Sequence, residues 1–166
     1  LDSGSGALGQ GISIAIGYAI AQNMQKSNAN SYCIVGDGEM QEGQIWEAVL
    51  FAGVKKIKNL CVIVDNNKFQ NETSVIETLG EISLEMKIKA FGWNYISVDG
   101  HSLEDILNAI ETFKNSDIPT LIDAHTIKGK GVDFMENNNS WHSKVLNEND
   151  YMSAKKQCQE KIDDLN

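Results

Sequence analysis

Apolar and polar positions along the chain alternate between two patterns. Short runs that are apolar almost throughout, rich in β-branched and aromatic residues, occupy Tyr32–Val35, Leu60–Val64, Trp93–Val98 and Thr120–Ala124. Between them lie longer stretches with apolar residues at helical spacing: Gly9–Met24, Gln41–Phe51, Leu84–Phe91 and Leu103–Phe113. Ser102, with Asp105 three residues on, marks a helix start, and Pro119 punctuates the approach to the last run. Strands without polar alternation need cover on both faces, and the intervening helices supply it. The pattern predicts an α/β fold: a doubly wound, mostly parallel sheet with helices on both faces. Ile12, Ile16 and Ile20 read as the packing stripe of the first helix, and Trp46, Phe51 and Trp93 as core.

Two stretches break the alternation. "NNKFQNETSVIETLG" follows the second apolar run and "IKGKGVDFMENNNSWH" the last. Both read as long loops, and long loops in a compact domain tend to be functional or disordered. The organisation expected is one domain over residues 1–147 and a charged helical tail over 148–166.

Charge narrows the partners. The chain has 166 residues, 42% of them hydrophobic, enough for one substantial core. Its 14 basic residues, all Lys, stand against 23 acidic ones, a net charge of −9. That balance argues against nucleic acid, which needs a basic footprint, and against an anionic membrane surface. No apolar run approaches the ~20 residues that span a bilayer. The first residues show no basic segment followed by an apolar one, so no signal peptide is expected. Cys33 and Cys61 sit in apolar runs and Cys158 in the polar tail, a distribution that suits a reducing cytoplasm better than a disulfide framework.

In open α/β sheets ligands bind at the carboxyl ends of the strands. After the first run comes Gly36-Asp37-Gly38, after the second Asp65-Asn66-Asn67, and after the last His125 with "TIKGKG". Glycine on both sides of Asp37 lets the backbone come close to a ligand, and the helix start that follows offers free N–H groups to an anion such as phosphate. A carboxylate facing a phosphate repels it unless a divalent cation lies between. Mg²⁺ is the natural candidate, joining carboxylates to phosphates through hard oxygens at about 2.0–2.1 Å. Asp37 supplies one oxygen, and the amide of Asn66 or Asn67 another. Taken alone, a GDG turn needs no ligand to explain it.

GDG followed after 27 residues by the asparagine pair resembles the motif of thiamine-diphosphate enzymes. "GALGQG" (Gly6 to Gly11), "GDGEMQEGQIWEA" (Gly36 to Ala48), "VDNNKF" (Val64 to Phe69) and "KGKGVDFMENNNSWH" (Lys128 to His142) resemble the diphosphate domain of transketolases, especially bacterial ones split into two subunits. The resemblance implies that Asp37, Asn67 and the backbone carbonyl of Phe69 bind Mg²⁺ or Ca²⁺, which holds thiamine diphosphate. It further implies that Gly36 and Gly38 admit backbone N–H groups to the diphosphate. Gly6, Leu8 and Ile127 would contact the cofactor, Glu42 would join a carboxylate network at a subunit interface, and His142 would act near the diphosphate and substrate. His101 reads as structural, and His125, Lys128 and Lys130 carry no assignment.

The implied activity transfers a two-carbon ketol unit from a ketose to an aldose, usually as phosphates. "GALGQG" and "MQEGQIWEA" favour transketolases over deoxyxylulose-phosphate synthases and 2-oxo-acid dehydrogenase subunits. A non-catalytic docking subunit that keeps the cofactor motif is the reading from another class. The family's pyrimidine-binding half, with its activating glutamate, lies outside this sequence. The expectation is therefore a subunit or fragment inactive alone, working in a homodimer or heterotetramer with that half.

Overall fold

Four parallel strands form the sheet: β1 (Ser31–Gly36), β2 (Leu60–Asn66), β3 (Asn94–Asp99) and β4 (Thr120–His125), in the spatial order β1-β2-β4-β3. The structure is a computed structural model and describes residues 4, 6–71, 73–80 and 83–163. Helices α1 (Gln10–Met24), α2 (Gly43–Val54), α3 (Val75–Leu79), α4 (Leu84–Ala90), α5 (Leu103–Lys114) and α6 (Glu148–Asp163) complete the described chain. From β1 the path steps to β2 and then past β4 to β3, before doubling back. With right-handed crossovers that reversal sends α5 to the face opposite α2 and α4.

The cores follow this division. Under α1, α2 and α4 the larger one gathers Ile12, Ile16, Ile45, Val49 and Ile88 against Val35, Val62, Val64 and Leu121. Under α5 a smaller one gathers Ala109 and Phe113 against Cys61 and Ile122. Burial pushes the Cys33 thiol up to about 11, with the Glu39 charge adding to it, and burial pushes the Cys61 thiol up to about 12. No helix among the described residues is long and apolar enough to cross a membrane.

Several expectations change. Cover on both faces fails at β1, where Ile34 is 72% exposed and Tyr32 half-exposed. Ile20 is also partly exposed, because the eight residues from Ile12 make about 2.2 turns, overshooting two whole ones, and the buried stripe falls on Ala19 instead. Phe51 faces solvent on the outer side of α2. Trp46 is half-buried, its ring 4.7 Å beneath the Lys87 ammonium. Trp93 precedes β3 rather than opening it, and its buried indole donates to the Val49 carbonyl at 2.8 Å. The loop after β2 contains α3, too short to show periodicity, capped reciprocally by Ser74 and Glu77.

Helix α6 occupies Glu148–Asp163, with residues 164–166 outside the described part. Helix α6 buries no residue but is tied to the glycine-rich loop: Gln157 accepts from the Asp133 N–H at 2.8 Å and Lys161 donates to the Gly131 carbonyl at 2.9 Å.

Candidate cofactor cleft

Parallel pairing levels the carboxyl ends of the strands. Gly36 lies opposite Asp65, Asp65 opposite Ala124, and Asn66 opposite His125. Side chains alternate along a strand, so adjacent residues at each end point to opposite faces. At the end of β2 this sorts the asparagine pair. Asn66 turns beneath the sheet end and donates to the Asp123 carboxylate at 2.8 Å. Asn67 turns the other way, into a cleft of about 650 Å³.

That cleft collects most of the expected site. Leu8, Gly36, Asp37, Gly38, Glu42, Asn67, Phe69 and His142 all line it, as does Lys128. Gly6 and Ile127 are not part of its wall. Gly6 is exposed, and the Ile127 N–H donates to the His101 imidazole Nε2 at 2.8 Å. Ser5, just before the "GALGQG" motif, lies outside the described residues.

Asp37 is 8% exposed. Desolvation by this burial raises its carboxyl above the ordinary aspartate value, opposed by backbone N–H groups from Lys68 and Gly38. Those donors lie at 2.6 and 2.9 Å, one on each carboxylate oxygen. Among the described residues no ion pair reaches Asp37. Asn67 Oδ1 accepts from the Phe69 N–H at 3.0 Å, folding the segment back on itself. Lys68, between them, adopts a left-handed φ of 70°.

Neither Gly36 nor Gly38 has a positive φ. A Cβ on Gly38 would lie 2.6 Å from the Gln70 Cβ, so this glycine lets the loop after β2 close over it. A Cβ on Gly36 would meet nothing. Their N–H groups are already occupied, Gly38 by Asp37 and Gly36 by Glu39 at 3.2 Å. Nor does an α-helix follow GDG directly: a 3₁₀ turn over Glu39–Gln41 intervenes before α2 begins at Gly43.

Glu39 escaped sequence reasoning. One oxygen accepts from Gly36 and the other from the Gly9 N–H at 2.7 Å, so a single carboxylate fastens the "GALGQG" turn to the GDG turn. Its reach back across three residues is the capping-box spacing, a signal present in the sequence. The link to Gly9, 30 residues away, left no local trace. Gln44 adds a second fastening, its side chain donating to the Leu8 carbonyl at 2.7 Å.

The donor set suits a hard cation. Asp37, Asn67 and Phe69 line one cleft, and between them they own a carboxylate, an amide oxygen and a backbone carbonyl, the oxygen types Mg²⁺ and Ca²⁺ take. Among the described residues no three His, Cys, Asp or Glu side chains gather to hold a metal, so a cation here depends on those neutral oxygens. Glu39 and Glu42 make the cleft acidic, against Lys128 and His142, whose Nζ and Nδ1 lie 3.3 Å apart. An anion enters such a cleft far more favourably with a cation beside Asp37.

The profile described as the transketolase thiamine diphosphate binding domain matches residues 1–162. The chain belongs to this transketolase family. Within it, the chain is 41% identical over 155 residues to the 6-deoxy-6-sulfo-D-fructose transketolase subunit SqwG of Clostridium sp. (strain MSTE9), covering 93% of this chain and 56% of that subunit. It is 36% identical over 169 residues to an apulose-4-phosphate transketolase subunit of Phocaeicola vulgatus, covering 99% and 59%. The chain therefore spans a little over half the length of these subunits. The fold superposes on transketolase from Campylobacter jejuni with a TM-score of 0.86 at 34% identity, over 93% of this chain and 26% of that one.

Proposed function

We propose that this chain is the diphosphate-side part of a split transketolase, holding thiamine diphosphate through Mg²⁺ or Ca²⁺. One observation carries the reading: the buried Asp37 faces the same cleft as Asn67 and Phe69. Asp37 and the Asn67 amide would hold the metal with the Phe69 carbonyl. Since the Gly36 and Gly38 N–H groups are engaged elsewhere, the diphosphate depends mainly on the metal, with Lys128 as the nearby cation. When bound, thiamine diphosphate supplies the nucleophilic carbon that carries a two-carbon unit between carbonyl compounds.

The chain's own residues do the positioning. Leu8 gives the cleft an apolar wall for a ring of the cofactor, while Glu39 and Gln44 fix the turn that carries it. His142, exposed at the cleft, can donate or accept a proton as a carbonyl is attacked or released. Glu42, also exposed there, suits a contact across a subunit boundary.

The reaction is transfer of a two-carbon ketol unit from a ketose phosphate to an aldose phosphate. The names of the two related subunits specify a sugar phosphate and a sulfonated sugar, both with an anionic end. The pyrimidine-binding half comes from a partner, giving a homodimer of complete proteins or a heterotetramer of halves. Helix α1 supports a partner: it is apolar on nearly every side, and Tyr18 and Met24 stand exposed. Three free cysteines, two buried, suit a cytoplasmic setting.

The test is ketol transfer by the chain reconstituted with its pyrimidine-binding half. A ketose phosphate and an aldose phosphate should yield a ketose two carbons longer than the acceptor, and Asp37→Ala should abolish it. Cofactor binding without product would mark a docking subunit instead.

A further inference from the structure

Asp123 is the most deeply buried carboxylate among the described residues at 3% exposure, and the cleft does not contain it. It lies on β4 on the face covered by α4, opposite Val64 of β2 and Ser97 of β3. From that position its two oxygens reach diagonally to both neighbouring strands. Oδ1 accepts from Asn66 Nδ2 at 2.8 Å and Oδ2 from the Tyr95 hydroxyl at 2.6 Å. Burial, then the bond to Asp123, pushes the Tyr95 phenol up, so it remains a donor. His125 lies 3.7 Å from Oδ2 and shares its Nε2 with the Ser97 hydroxyl at 3.0 Å. A carboxylate buried this deeply and met mostly by neutral donors costs stability, and removing one partner leaves the others unsatisfied.

What the carboxylate grips is the residue before the candidate metal segment. The Asn66 carbonyl is held as well, by the Thr126 N–H at 3.1 Å, and the Thr126 hydroxyl donates to Asp65. Directly beyond, Lys68 holds its left-handed φ of 70°, a strained conformation for a residue with a side chain. Such a turn persists only where its surroundings fix both ends. Ahead of it Asp123 holds Asn66 and Asp37 takes the Lys68 N–H, and beyond it the Val75 N–H donates to the Lys68 carbonyl at 3.1 Å.

We propose that Asp123 is a positioning residue for the metal: through Asn66 it fixes the Asn67–Lys68–Phe69 turn, so that the Asn67 amide oxygen and the Phe69 carbonyl face the cleft. Tyr95 completes the device by orienting the carboxylate. The inference rests on the metal reading above. It assigns Asp123, Asn66 and Tyr95 to that site although none of them touches the metal or lines the cleft.

The experiment measures Mn²⁺ affinity by electron paramagnetic resonance in the complete protein with its pyrimidine-binding half and thiamine diphosphate, alongside thermal midpoints. Asp123→Leu and Asn66→Ala should each weaken Mn²⁺ binding roughly tenfold to a hundredfold, as lost outer-sphere partners do. The double variant should be no weaker than the worse single one, because both break the same link. Asp123→Asn, which keeps an oxygen for Asn66, should bind within about threefold of the parent, on the scale of one retained neutral hydrogen bond. Should Asp123→Leu fail to fold, Asn66→Ala and Asp123→Asn carry the same comparison. Parent-like Mn²⁺ affinity with only a lowered thermal midpoint would reduce Asp123 to a fold determinant and overturn the proposal. Losses that multiply in the double variant would overturn it too. A parent protein that binds no Mn²⁺ would overturn the metal reading and this inference together, whereas a binding parent with indifferent variants overturns this inference alone.

Discussion

Asp37 places a charge at the tip of a buried strand, and the residues around it show what that position requires. Its oxygens are fed by two N–H groups, while burial still holds its carboxyl above the ordinary value. The motif stood out in the sequence, but a glycine-flanked acid after an apolar run is explained by a turn alone; only its pairing with the asparagines 27 residues on gave it the proposed role. The choice between Asn66 and Asn67 could not be made from residue types alone. In the fold Asn66 donates to Asp123 and Asn67 lines the cleft, which supports Asn67 as the proposed ligand. Glu39 stayed hidden because half of its function joins segments far apart in sequence. Glu39→Ala should leave the Gly9 and Gly36 N–H groups without their acceptor and cost about 1–3 kcal/mol in urea unfolding; unchanged stability would remove Glu39 as a fastener.

The thiols give a second residue-scale expectation. Cys33 and Cys61 are buried with raised values of about 11 and about 12, and Cys158 is exposed. A thiol whose value is raised stays protonated, and so unreactive, until the pH approaches that value. One thiol per native chain should therefore react with a disulfide reagent at pH 8, and three after denaturation. Rapid native labelling of all three would contradict the burial described.

Elements were read most accurately where local chemistry sets them. Ser102 caps α5 through the Asp105 N–H at 3.2 Å, the contact its spacing announced. Ser102→Ala should cost about 1 kcal/mol, a shift of about 2–4 °C in a chain of this size, measured by calorimetry. No shift would mean the cap is already satisfied by water. Errors fell where tertiary context decides. Five residues of α3 are too few to display a helical period. Phe51 was assigned to the core by residue type, although α2 turns that position outward. Gly53 shows the opposite case: a Cβ there would sit 1.9 Å from the Phe91 carbonyl, so its place in α2 is set by the chain end of α4.

At the scale of the whole molecule, alternating apolar runs and helices were enough to give the doubly wound parallel sheet, but not its order β1-β2-β4-β3. They could not give the bare outer face of β1 or the exposed side of α1, since a residue apolar for a partner looks the same as one apolar for the core. Those exposed apolar surfaces are the ones the proposed partner half would cover. The central claim is that a divalent metal on Asp37 and Asn67 carries the cofactor. Calorimetric titration of thiamine diphosphate into the complete assembly tests it most directly. Saturable binding with Mg²⁺ or Ca²⁺, lost in EDTA and in Asp37→Ala, is the result expected; equal binding in EDTA, or none with either metal, would contradict it.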